Sequence, residues 1–176
     1  NVSYIRKYLP EKSIALIKVV NRVQGLMVKK GNPLNINSIE DISKKDVRFV
    51  NRQRGSGTRI FLDYKLMELN IAKDSVYGYE REEFTHLAVA AAVAAGDADV
   101  GLGVYSAAAI MNLDFIPIGN EEYDIAVPEE HLSHKGIKEL LRIINSDSFK
   151  EELDRLGGYD YRNIGQVISL GGKNDR

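Results

Sequence analysis

Cysteine is absent from this chain of 176 residues. That removes disulfides, thiolate metal sites and cysteine nucleophiles together, while leaving the compartment open. No apolar run approaches the roughly 20 residues that cross a bilayer. The longest mild stretch, Leu87 to Ala95, is mostly alanine and too short. Neither charge is in excess: 24 basic and 25 acidic residues leave a net charge of -1. That balance gives no global electrostatic reason to contact nucleic acid. No internal repeat or low-complexity segment is present. No charged-then-apolar leader follows Asn1, and its not being methionine suggests processing or a piece of a longer protein. Hydrophobic residues at 44% and charged residues at 28% are near globular averages, which excludes a disordered, collagen-like or rod-like chain. The length suits one ordinary domain or two small lobes.

What is present is an alternation of strand and helix patterns. Ser13–Val20 and Val23–Lys29 are rich in apolar and β-branched residues and predict two strands joined at Asn21-Arg22. A turn at Lys30–Pro33 opens a polar loop with a short helix at best near Ile39–Ile42. Val47–Val50 predicts a short buried strand. Thr58–Leu69 predicts a helix with Ile60, Tyr64 and Met67 in helical spacing. Val76–Tyr79 predicts a strand and Thr85–Ala95 a helix ended by a left-handed Gly96. Val100–Val104, Phe115–Ile118 and Asp124–Val127 predict strands, with a short helix over Ser106–Met111. Two helices follow: one with Ile137, Leu140, Leu141 and Ile144 on one face, the other capped by Ser146 and ended at Gly157-Gly158. This order implies an α/β fold with parallel βαβ units.

The segment Val50-Asn-Arg-Gln-Arg-Gly-Ser-Gly-Thr-Arg59 sits between a strand and a helix. Ser56 and Thr58 can cap that helix, Gly57 lets the backbone approach a ligand, and the free N–H groups of the first turn make an anion site. Four arginines (Arg48, Arg52, Arg54, Arg59) and no acid fall between Val47 and Ile60. A glycine turn with an ordinary cap and solvated arginines explains the same residues, and the pattern alone leaves both readings open. It is neither a Walker loop nor a dinucleotide fingerprint. A second junction places Thr85 as a cap and His86 in a first helical turn. Gly101 and Gly103 share one face of a strand, which a helix or a ligand must approach closely. Tyr105 follows at the carboxyl end of that strand, where ligands of open α/β sheets bind. His131 and His134 beside Glu129 and Glu130 fit an ordinary capped helix better than a metal site. Ser56, His86 and Asp99 lack the spacing of a catalytic triad.

The runs NRQRGSGTR and THLAVAAAVAAGDADVGLG, with LDFIPIGNEEYDIAVP and LGGYD, resemble the periplasmic-binding-protein-like domain related to molybdate- and tungstate-binding proteins. In that family the domain is fused to molybdopterin-biosynthesis enzymes or helix-turn-helix regulators. The resemblance runs from about Asn1 to Gly165. It implies a type II periplasmic-binding-protein-like fold of two α/β lobes with mostly parallel sheets. Residues 1–29 and 123–170 would form the remainder of the first lobe with the hinge strands, residues 30–122 the second lobe, and residues 171–176 a tail. It also implies that the start of the first lobe, with half of the ligand cleft, precedes Asn1. The apolar stripes of the last two helices should then be incompletely covered, or buried in a homo-oligomer. The implied function is non-enzymatic binding or sensing of a small anion such as molybdate or tungstate. The alternatives are an organic-anion effector domain of a transcription regulator and an accessory domain of a molybdopterin-biosynthesis enzyme. Candidate ligand residues are Arg54, Ser56, Gly57, Thr58, Arg59, Thr85, His86 and Tyr105. No catalytic residue, metal or cofactor is expected, nor any membrane span or direct nucleic-acid contact. The resemblance favours a cytoplasmic location.

Overall fold

Fifteen consecutive residues, Ile14–Val28, form one extended strand, β1, where the sequence suggested two. Asn21 and Arg22 do not turn, because their backbone pairs with a short strand from near the chain's end, β6 (Tyr159–Asp160). The structure, a computed structural model, describes residues 1–172; of the expected tail, residues 173–176 lie outside them. The chain divides into two units. Unit 1 comprises residues 1–22 and the chain from Glu121 onward, and unit 2 is Val23–Asn120.

Unit 2 is built on a sheet in the order β3-β2-β4-β1-β5. Its strands are β2 (Phe49–Arg52), β3 (Glu82–Glu83), β4 (Val100–Val104), the later half of β1 and the first part of β5 (Asp114–Pro128). β2 runs parallel to both β3 and β4, with Asn51 opposite Glu82 and Phe49 opposite Val100. β1 runs antiparallel to β4, Leu26 facing Leu102. The result is a mixed α/β fold with a parallel heart. Gly25 lets β1 and β5 pass closely, since a Cβ there would lie 2.4 Å from the Phe115 ring.

Two apolar clusters cover the two faces of this sheet. Leu26, Val28, Phe49 and Leu102 pack with Leu62 and Leu66 of helix α2 (Gly57–Glu68). Met27 and Val50 pack with Val89, Ala90 and Val93 of helix α3 (His86–Ala95). Ile60, Tyr64 and Met67, the helical-spaced apolar residues of α2, are exposed instead; the buried face carries Thr58, Arg59, Leu62 and Leu66. Val76–Tyr79 is not a strand: Lys73–Ser75 forms a 3-10 turn, and Gly78 at φ 92° turns the chain so that Val76 and Tyr79 enter the core from a loop.

Unit 1 holds a short helix not expected from the sequence, α1 (Val2–Tyr8), with no buried residue. The early half of β1 pairs antiparallel with β7 (Val167–Leu170). Phe115–Ile118 and Asp124–Val127, expected as separate strands, belong to the single strand β5. Ala15, Ile17 and Val127 pack with Ile144 of α5 (Lys135–Ile144), and Val19 and Val20 with Leu153 of α6 (Asp147–Leu156). The stripe of α5 is partly covered: Ile144 is buried, Ile137, Leu140 and Leu141 are half-buried, and Ile143 is exposed.

Candidate functional site

Because β2, β3 and β4 are parallel, their carboxyl ends lie at one edge of the unit 2 sheet, and each feeds a helix there. α2 starts after Gly55, whose φ of 84° favours a residue without a side chain. Ser56 is its N-cap, its Oγ accepting from the Arg59 N–H at 3.2 Å. Thr85 caps α3 in the same way, accepting from the Ala88 N–H at 3.0 Å. A hydroxyl that accepts still has its own proton to donate. Tyr105 opens the third helix, α4 (Tyr105–Ile110), directly after β4. The junctions after β2 and β3 are tied laterally: the Gln53 N–H donates to the Glu83 carbonyl at 3.1 Å, and Arg52 Nη2 to the Phe84 carbonyl at 3.2 Å.

α2 and α3 cover opposite faces of the sheet. Alternate residues of a strand point to opposite faces, and α2 packs on the Leu26/Phe49 face while α3 packs on the Met27/Val50 face. What the two helices share is the edge. Gly101 serves α3: a Cβ there would lie 2.3 Å from Val89 Cγ1. Gly103 makes room first for a neighbouring strand, since a Cβ there would lie 2.6 Å from Met27 Cε of β1, and then for His86, whose Nδ1 would lie 3.4 Å away beside the end of β4. Tyr105 stands edge-on to Phe115, ring centroids 5.6 Å apart, and remains exposed. Phe84, 73% exposed, and Leu87, 43% exposed, flank the α3 start; neither is among the ligand residues expected from the sequence.

Three candidates are engaged elsewhere. Thr58 is only 2% exposed, and its Oγ1 accepts from Gln24 Nε2 at 3.0 Å beneath the helix. Arg59 is buried, its guanidinium 3.9 Å from the Tyr79 ring centroid and 3.3 Å from Glu82. Arg54 is exposed but pairs with Glu80 at 2.6 Å and lies 3.6 Å from Glu82; that arginine holds the Glu80 carboxyl below the usual carboxylate range. The acid-free window around these arginines is thus neutralised by acids more than twenty positions later. His134 caps α5, its Nδ1 accepting from the Gly136 N–H at 3.1 Å. Among the described residues, no group of three His, Cys, Asp or Glu could hold a metal, and no helix is long and apolar enough to cross a membrane.

Parallel strands that open onto helix N-termini at one edge, in a unit entered and left by two long strands, are the architecture of type II periplasmic-binding-protein-like ligand-binding domains. The chain belongs to the PBP superfamily, whose domain matches residues 1–145. It is 39% identical over 168 residues to the uncharacterized protein YvgK of Bacillus subtilis (strain 168), a match covering 96% of this chain and 54% of that protein. The chain thus spans about half the length of that relative. It is 41% identical over 111 residues to an uncharacterized protein in the 5′ region of a 2Fe-2S ferredoxin gene of Clostridium pasteurianum, covering 62% of this chain and 98% of that one. Among solved structures, the regulatory domain of MetR, a LysR family regulator from N. meningitidis, superposes with a TM-score of 0.63. That match has 15% identity and covers 85% of this chain and 69% of that one, a likeness of fold.

Proposed function

We propose that this chain is a binding or sensing domain for a small anion, held at the carboxyl edge of the unit 2 sheet and not chemically altered there. The observation that carries this reading is the pair of capped helix starts at that edge, with the Ser56 and Thr85 hydroxyls still able to donate. The donors on offer are the hydroxyls and the N–H groups near Gly57 and His86, since Arg54 and Arg59 are engaged by acids. Neutral donors of this kind suit a desolvated oxyanion such as molybdate or tungstate. A second reading, an organic-acid effector domain of a regulator, is favoured by the exposed Phe84, Leu87 and Tyr105 at the same edge and by the likeness to the MetR regulatory domain. An accessory role beside a molybdopterin-biosynthesis enzyme would use the same site.

Calorimetry on full-length protein with molybdate, tungstate, sulfate and small carboxylates separates these readings. Ser56→Ala and Thr85→Val should each weaken binding of the preferred anion by about 1–3 kcal/mol, the range for a lost hydrogen bond to a charged group. Unchanged affinity in both variants refutes the site, and no heat with any of these anions refutes the reading.

A further inference from the structure

Unit 2 contains a recess of about 310 Å³ beside the start of α2. Arg54, Arg59, Asp63, Lys73, Tyr79 and Glu80 line it, and none of Ser56, Thr85, His86 or Tyr105 does. Arg59 is its fixed charge. The side chain is 5% exposed and stacked on Tyr79, and Nη1 donates to the Arg52 carbonyl and to Glu82, both at 3.3 Å. Those contacts fix the guanidinium at the wall of the recess. Its other amino group, Nη2, donates no hydrogen bond among the described residues and lies 3.9 Å from Glu80 Oε2. Lys73 stands 2.9 Å from Asp63. Glu80 differs from the other acids. It is 64% exposed, and its hydrogen bond is to Arg54, which is itself 74% exposed. A surface pair of this kind contributes little to stability and exchanges readily with solvent.

We propose that this recess is a binding site for a phosphoryl group and that the Glu80 carboxylate is its built-in placeholder, which swings out when phosphate enters. Three cations, Arg54, Arg59 and Lys73, border one space, and of the two acids between Arg54 and Arg59 it is Glu80, 64% exposed against 26% for Glu82, that sits on a surface side chain. A tethered carboxylate acts at an effective concentration on the order of millimolar, so a free monocarboxylate gains little by replacing it. A phosphoryl dianion brings a second charge and three oxygens, enough to engage the Arg54 fork, the idle Nη2 of Arg59 and Lys73 together. The site is independent of the carboxyl-edge site proposed above.

The phosphoryl group could arrive as inorganic phosphate or as a monoester, so inorganic phosphate and methyl phosphate are titrated in parallel by calorimetry at fixed ionic strength. The proteins are the wild-type chain, Glu80→Gln and Glu80→Gln/Arg54→Gln. Both substituted side chains are exposed, so the fold is left intact. Glu80→Gln should bind the better ligand at least tenfold more tightly than wild type, and adding Arg54→Gln should reverse the gain; the tighter of the two ligands identifies the source. Equal affinity in wild type and Glu80→Gln overturns the proposal. So does a gain that survives Arg54→Gln, or the lack of saturable binding to Glu80→Gln.

Discussion

Replacing Thr58 with Val probes the polar seam under α2. The change keeps the branched shape and removes the acceptor of the 3.0 Å bond from Gln24 Nε2. Gln24 is fully buried and Thr58 is 2% exposed, so water cannot take the acceptor's place. Depriving a buried donor of this acceptor costs about 1–3 kcal/mol. With a urea m-value of about 2 kcal/mol/M, the unfolding midpoint should fall by about 0.5–1.5 M. The double variant Gln24→Leu/Thr58→Val removes both ends of the bond. It should be less destabilised than the sum of the single changes, because neither buried partner is then left to the other's absence. Urea unfolding followed by circular dichroism measures all three. A Thr58→Val protein as stable as wild type, or strict additivity in the double variant, would refute the reasoning. Anion affinity of folded Thr58→Val should be unchanged, because this hydroxyl faces Gln24 and not the sheet edge.

Gly101→Ala should destabilise unit 2 by about 1–3 kcal/mol through overpacking, since the new methyl would lie 2.3 Å from Val89 Cγ1; a melting temperature equal to wild type would contradict this. Leu66→Ala should cost about 2–5 kcal/mol and Met67→Ala less than about 0.5 kcal/mol, because the first is buried and the second exposed; similar chemical-denaturation midpoints for the two would contradict the assignment of faces. Asp99 accepts from the Arg48 backbone and side chain, and that hydrogen-bonded pair holds its carboxyl below the usual carboxylate range. Its contribution is therefore present above the unfolded carboxyl pKa of about 4 and lost as pH falls through the lower folded value. The stability gap between wild type and Asp99→Asn should accordingly narrow below about pH 4, and a gap that widens there would count against the pairing.

The local alternation of strand and helix was legible because each element carries its own signal. The caps Ser56, Thr85 and Ser146 and the left-handed Gly96 stand where short-range chemistry places them. What could not be read depends on distant partners. Asn21-Arg22 looks like a turn until Tyr159 and Asp160 supply backbone partners for it. Arg54 and Arg59 look available until Glu80 and Glu82 arrive from the start of β3 and the turn before it. α2 buries Thr58 and Arg59 while exposing Ile60 and Met67, because Gln24, Tyr79 and Glu82 make the polar face cheaper to bury than its pattern suggests. Of the candidate site, the capped junctions and the place of Tyr105 could be anticipated. The opposite faces taken by α2 and α3 could not, since they follow from strand order.

The chain passes into unit 2 along β1 and out again along β5, two strands that are neighbours in the sheet. Unit 2 is therefore one uninterrupted stretch whose two ends emerge side by side, whereas unit 1 is assembled from two stretches nearly a hundred residues apart. During synthesis the N-terminal stretch of unit 1 must wait. β1 is made well before β6 and β7, so its early half lacks these two partners until residues 159–170 emerge. Unit 2 meets no such delay, because every strand of its parallel core is complete by Val104. The order of synthesis is thus written into the threading: the unit that carries both proposed sites is complete before β6 and β7 are made, and the edge of β1 that awaits them is the hazard that a nascent chain of this design must survive.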